Sequence, residues 1–170
     1  MTTTTIGVFS NKQKAELAIN DLRDKGVMDK EISCVYTDKD GDVKDSQTGE
    51  KMGSGAAAGA TTGAVIGTIA GLVVANGILP GLGTLFVAGP LAAALGLTGA
   101  VATTVAGAAT GAAAGGLIGA FSKLGVAKED AELYERHIRK GEVVVICRSE
   151  ADDIMEVFTR HNAVEVRQYN

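Results

Sequence analysis

Gly55-Ala56-Ala57-Ala58-Gly59-Ala60-Thr61-Thr62-Gly63-Ala64-Val65-Ile66-Gly67-Thr68-Ile69-Ala70-Gly71 carries glycine at every fourth position. A second run, Gly99, Thr103, Gly107, Gly111, Gly115 and Gly119, repeats the step. Four residues is close to one helical turn, so each run lays a smooth stripe along a predicted helix. Glycine costs about 1 kcal/mol against alanine in a helix interior, so such a helix needs a compensating contact. Close backbone packing at Gly55, Gly59, Gly63, Gly67 and Gly71 against Gly99, Gly107, Gly111, Gly115 and Gly119 would supply it.

Both runs lie in a segment that sets the organisation of the chain. From Met52 to Ser122, 71 residues contain no Asp, Glu, Lys, Arg or His, and 37 of them are Gly or Ala. Between the stripes, Asn76-Gly77, Pro80-Gly81, Gly83 and Gly89-Pro90 break helix, which predicts a helical hairpin over 52–122 with an irregular or short-helical tip. The large apolar residues gather at that tip, among them Leu79, Leu82, Leu85, Phe86, Val87, Leu91 and Leu95. Stems of about 20 residues would be about 30 Å long, which matches a hydrocarbon core. Ala and Gly add little insertion energy, the stems have no aromatic belt, and no charge marks a far-side loop. A re-entrant, monotopic or oligomer-buried hairpin is therefore as compatible with the pattern as a double span.

The flanks read as ordinary soluble sequence. Residues 1–51 and 123–170 each hold 8 basic and 10 acidic side chains, which accounts for the net charge of −4 and excludes a basic nucleic-acid footprint. Ile6-Gly7-Val8-Phe9 predicts a strand, Ser10 with Gln13 a capping box, and Ala15, Ala18, Ile19 and Leu22 the apolar face of a helix ended by Gly26. Ile32 to Thr37 is a second strand. Val143-Val144-Val145-Ile146 begins the same plan again, with Ser149 and Asp152 as the predicted cap, Ile154, Val157 and Phe158 as the apolar face, Asn162 as the helix stop and Ala163 to Tyr169 as a closing strand. A further helix over about 128–140 presents Ala131, Tyr134 and Ile138.

Two β-α-β halves in one small α+β chain suggest a ferredoxin-like split arrangement, a four-stranded antiparallel sheet with both helices on one face. The expected organisation is a discontinuous domain, 1–51 plus 123–170, with 52–122 inserted between its second and third strands. Neither half would bury enough apolar surface alone.

Chemistry-bearing motifs are weak. Asp38, Asp40 and Asp42 with Gly41 miss the spacing of a calcium loop, and Gly53-Ser54-Gly55 lacks the strand and Gly-Lys-Ser/Thr of a phosphate loop. Cys34 and Cys147 fall in neighbouring predicted strands and read as small buried thiols. His137 and His161, on separate helices, read as exposed. No catalytic residues, metal ligands or cofactor are expected.

Ile6-Gly7-Val8-Phe9, Ile32 to Tyr36, the glycine-rich core with Gly89-Pro90-Leu91-Ala92-Ala93-Ala94, and Glu129 to Gly141 leading into Glu142 to Cys147 together resemble the bacterial general stress protein family of heat-induced and low-temperature-induced proteins. The resemblance covers essentially the whole chain and implies a stress-linked protein that is membrane-associated or self-assembling, with no catalytic residues to carry over. The expected partners are a second copy of the chain and a lipid bilayer, without nucleic acid or small-molecule substrate. The expected location is a cytoplasmic domain at the inner membrane, with a cytoplasmic particle as the alternative. A regulatory small-ligand module is a further alternative, resting on fold analogy alone.

Overall fold

The computed structural model describes residues 3–37, 65–69, 72–79, 83–91, 116–151 and 153–170. In chain order the elements are β1 (Thr3–Phe9), α1 (Lys12–Asp24), a 3-10 turn (Asp29–Glu31), β2 (Ile32–Thr37), β3 (Val65–Ile69), β4 (Leu72–Leu79), β5 (Gly83–Ala88), α2 (Gly116–Lys123), α3 (Lys128–Arg139), β6 (Val143–Ser149), α4 (Ile154–Arg160) and β7 (Glu165–Tyr169). The chain is α+β.

The described strands form one seven-stranded sheet in the order β3-β4-β5-β2-β6-β1-β7, with every neighbouring pair antiparallel. The four strands of the charged flanks occupy consecutive places, β2-β6-β1-β7. Their register runs from Thr3↔Ser149 to Phe9↔Val143 between β1 and β6, and from Ile32↔Cys147 to Val35↔Val144 between β2 and β6.

Successive strand residues point to opposite faces, so the buried runs of β1, β2 and β6 require cover on both sides. On the front, α1 and α4 set Ala15, Ala18, Ile19, Leu22, Ile154, Val157 and Phe158 against Phe9, Cys34, Val143, Val145 and Cys147. Phe9 and Phe158 meet edge to face with centroids 5.6 Å apart. Gly7 makes room for this contact, since a Cβ there would lie 2.7 Å from the Phe158 ring. On the back, α2 and α3 bring Leu117, Ala120, Phe121, Ala131, Tyr134 and Ile138 onto Ile6, Val8, Val35, Val144 and Ile146. Thr4 Oγ1 donates to the Leu124 carbonyl at 3.2 Å, and Thr37 Oγ1 to the Ile138 carbonyl at 2.9 Å, fastening this layer to β1 and β2.

All four described α-helices end alike. A residue with positive φ (Gly26, Gly125, Gly141 or Asn162) donates its N–H to the carbonyl three residues back. The next N–H (Val27, Val126, Glu142 or Ala163) reaches five residues back, which is the Schellman arrangement. Helix starts depart from the predicted caps. Asn11, not Ser10, caps α1, accepting from the Lys14 N–H at 3.0 Å. α4 begins at Ile154 behind Asp153, while Ser149 is the last residue of β6 and its hydroxyl accepts from the Ala151 N–H at 3.4 Å.

The helical hairpin expected over 52–122 is corrected over its described middle. Residues 65–69, 72–79 and 83–88 are strands, so Gly67 and Leu79 lie in β3 and β4, and Leu85, Phe86 and Val87 in β5. The physical reason is twofold. This stretch is rich in β-branched Val65, Ile66, Thr68, Ile69, Val73, Val74, Ile78, Thr84 and Val87. β2 also offers an open edge that satisfies the β5 backbone, pairing Cys34↔Ala88 through Thr37↔Leu85. Gly119 lies in α2. Gly55, Gly59, Gly63, Gly71, Gly99, Gly107, Gly111, Gly115, Leu82 and Leu95 fall outside the described residues, as do the Asp38 to Asp42 turn and Gly53-Ser54-Gly55.

Gly89 is the hinge between β5 and the back layer. It has φ +76, and a Cβ there would sit 2.0 Å from the Ile32 carbonyl oxygen. Gly89→Ala should therefore cost more than the about 1–2 kcal/mol of the left-handed backbone alone. Gly26→Ala, with φ +87 and open space around its Cβ, should cost about that penalty only. Urea melts of the two variants measure the difference.

Candidate functional site

No binding cleft is proposed from the described residues; the feature that stands apart is the uncharged extension β3-β4-β5 and its junction with the charged domain. At the junction Leu85, Val87 and Leu91 are fully buried and join the back core beside Val35 and Phe121. The Leu91 N–H donates to Ser33 Oγ at 3.1 Å, so the chain is pinned to β2 as it leaves β5. Of the predicted tip residues, Leu85, Val87 and Leu91 are thus brought together, as core anchors. Leu79 and Phe86 are placed by their strands, Leu79↔Gly83 and Phe86 opposite both Tyr36 and Asn76.

The titratable groups gather toward the opposite edge of the sheet, between α3 and β7. Tyr134 and Tyr169 share a hydroxyl-hydroxyl bond of 2.8 Å, and Tyr169 donates onward to Asp130 at 3.1 Å. Asp130 also accepts from Arg167, which binds Glu165 at 2.5 Å. Glu165 approaches His137 Nε2 at 3.4 Å, and His137 Nδ1 meets Glu142 at 2.5 Å. On the front, His161 Nε2 and Arg160 both reach Asp21, at 3.1 and 3.2 Å. Neither histidine is the exposed side chain expected: their side chains are 12% and 21% accessible. Sequence reasoning missed both because the partners are distant strands and helices. Glu142, five residues from His137, was the only local hint.

These groups fasten elements together. Tyr134 is fully buried, and burial first and the Tyr169 hydroxyl second push its ionisation far upward. Tyr169 is raised as well, chiefly by burial. Cys34 and Cys147 are buried free thiols on one face, set diagonally because Cys34 pairs with Val145 and Cys147 with Ile32. Burial pushes the Cys147 thiol up to about 12, with Glu31 adding to it, and raises Cys34 further. Neither supplies a thiolate at neutral pH. Among the described residues no group of three His, Cys, Asp or Glu could hold a metal ion. Lys25 binds Asp153 at the surface, which raises the lysine and lowers the carboxylate. The Thr5 hydroxyl is buried without a partner.

Since the folded chain opposes ionisation of Tyr134 and Tyr169, the stability this confers is complete below about pH 10 and is lost as pH rises beyond it. Urea melts between pH 9 and 11 should show falling stability, and Tyr134→Phe should flatten that slope. An equal slope in the variant would place the alkaline sensitivity elsewhere.

No curated protein and no solved structure matches the chain. Residues 4–82, from β1 through β4, match the family model described as the heat induced stress protein YflT domain, a match that supports the bacterial general stress protein family that the sequence resembles.

Proposed function

We propose that this chain is a non-catalytic stress-response protein that acts by self-association and by association with a membrane, both through its uncharged insertion. A stress-response role is supported by the YflT domain match. The observation that carries the rest is the contrast between 71 uncharged residues and two flanks of 8 basic and 10 acidic side chains each. An apolar segment of this size does not remain in water on a monomer without cover. Within this reading, β1-α1-β2 and β6-α4-β7 are the halves of a ferredoxin-like unit. Its support is the order β2-β6-β1-β7 with α1 and α4 on one face. The division into 1–51 plus 123–170 and 52–122 belongs to the same proposal, with 83–91 and 116–122 as the parts of the insertion that enter the shared core. Glycine-to-glycine packing at Gly55, Gly59, Gly63 and their counterparts in the second run is proposed for the stretches outside the described strands.

A second reading is a cytoplasmic particle with the insertions at its centre and the charged flanks, 8 basic and 10 acidic side chains each, on its outside. Sedimentation of the purified full chain without detergent, followed by flotation with zwitterionic vesicles, tests the proposal. An oligomer that floats supports the membrane form, and an oligomer that stays below supports the particle. A stable monomer left in the buffer would overturn both.

The two core segments also generate a stability prediction. Phe121 is fully buried and stacks toward Tyr134 with centroids 5.5 Å apart. Phe121→Ala should destabilise the chain by about 3–5 kcal/mol. Removing 53–121 whole should uncover the back face and leave a product that binds hydrophobic dyes. A compact, dye-free product would show instead that the flanks fold without those segments.

A further inference from the structure

The two edges of the sheet differ in kind. β7, Glu165-Val166-Arg167-Gln168-Tyr169, carries two charged residues held in ion pairs with each other and with Asp130, and Glu165 lies 3.4 Å from His137 Nε2. Charge on an edge strand hinders another strand from pairing there. At the opposite edge β3, Val65-Ile66-Gly67-Thr68-Ile69, has neither charge nor proline, and the nearest charged residues along the chain are Lys51 and Lys123. β3 pairs with β4 on one side, and no described strand pairs with it on the other. Its outward N–H and C=O groups call for partners.

The chemistry of the edge selects among occupants. A bilayer core offers no hydrogen bonds, so an open strand edge is not satisfied by lipid. The insertion has no Trp, Tyr, Lys or Arg with which a strand could be anchored at a membrane interface. A charged peptide would bring ions against an uncharged stretch with no opposite charge to meet them. A strand as neutral as β3 itself meets every requirement.

We propose that two copies of this chain join by antiparallel pairing of β3 with β3 of the second copy, about a twofold axis at Gly67. The proposal rests on the reading that the insertion self-associates, and names the surface. Gly67 then lies opposite Gly67, Val65 opposite Ile69, and Ile66 opposite Thr68. Glycine at the axis allows the close backbone approach of the central pair. The β4 ladder is irregular between Val65 and Gly67 and regular from Gly67 to Ile69, and the twofold axis sets the regular half of each copy opposite the irregular half of the other. Because the contact is isologous it closes on itself, and the charged β7 edge does not extend it.

Single cysteines read this register, since native Cys34 and Cys147 are fully buried. Under mild oxidation of the full chain, Gly67→Cys should cross-link to itself. Val65→Cys and Ile69→Cys should each do so poorly, yet mixed together they should form the heterodimer about tenfold faster than either homodimer, because disulfides demand close Cα approach. Thr68→Lys should leave a folded chain by circular dichroism but convert the dimer to monomer in sedimentation. An oligomer that cross-links equally at all three positions, or persists in Thr68→Lys, would overturn β3 pairing and leave self-association standing. A wild-type monomer, whether or not it binds vesicles, would overturn this proposal together with self-association.

Discussion

Five consecutive apolar residues of β6, Val143-Val144-Val145-Ile146-Cys147, all buried, impose the constraint from which the rest of the structure follows. A strand sends alternate side chains to opposite faces, so such a run has no side that can face water. Two helices, α1 and α4, cover one face from within the charged flanks. The other face must be covered too. That need draws in α3, α2, β5 and Leu91, and ties Leu85, Val87 and Leu91 from the middle of the uncharged segment and Leu117, Ala120 and Phe121 from its C-terminal end into the core. Antiparallel sheets often keep one wet face; this one is dry on both through its centre.

The charged side chains do a complementary job. The Tyr134-Tyr169-Asp130-Arg167-Glu165-His137-Glu142 chain of contacts holds the last strand to α3. Asp21 with Arg160 and His161, and Lys25 with Asp153, hold α1 to α4. Exposed pairs of this kind are screened by water and contribute little individually. Their value lies more in fixing which surfaces meet than in the energy of any one bridge. These titratable groups are thereby engaged in joining elements, and the uncharged surface is what they leave out.

How much could be read in advance depended on the range of the deciding interaction. The apolar faces Ala15-Ala18-Ile19-Leu22, Ala131-Tyr134-Ile138 and Ile154-Val157-Phe158 are legible because each is a pattern within one helix. The helix stops at Gly26 and Asn162 are legible because a positive φ selects particular residue types. The helix starts are less so: Ser10 and Asn11 are adjacent capping residues, and the geometry of the turn decides between them. The candidate surface was legible as a segment, from its lack of charge, and not as a structure. Gly67 fits a helical stripe and an edge strand equally well until a neighbouring β4 is in place.

The sequence by itself determined what is local: the apolar strands, the amphipathic helices and their stops, and the division of charge into two flanks around a neutral middle. Tertiary structure decided what lies far along the chain. It set His137 between Glu142 and Glu165, placed Cys34 diagonal to Cys147, and brought Leu85, Val87 and Leu91 under α2. It also made residues 65–88 sheet where their glycine spacing suggested helix. The physical reason is that a strand's backbone bonds are made to another segment. Whether β-branched residues form a strand there depends on an available edge, and β2 supplies that edge only once the chain has folded.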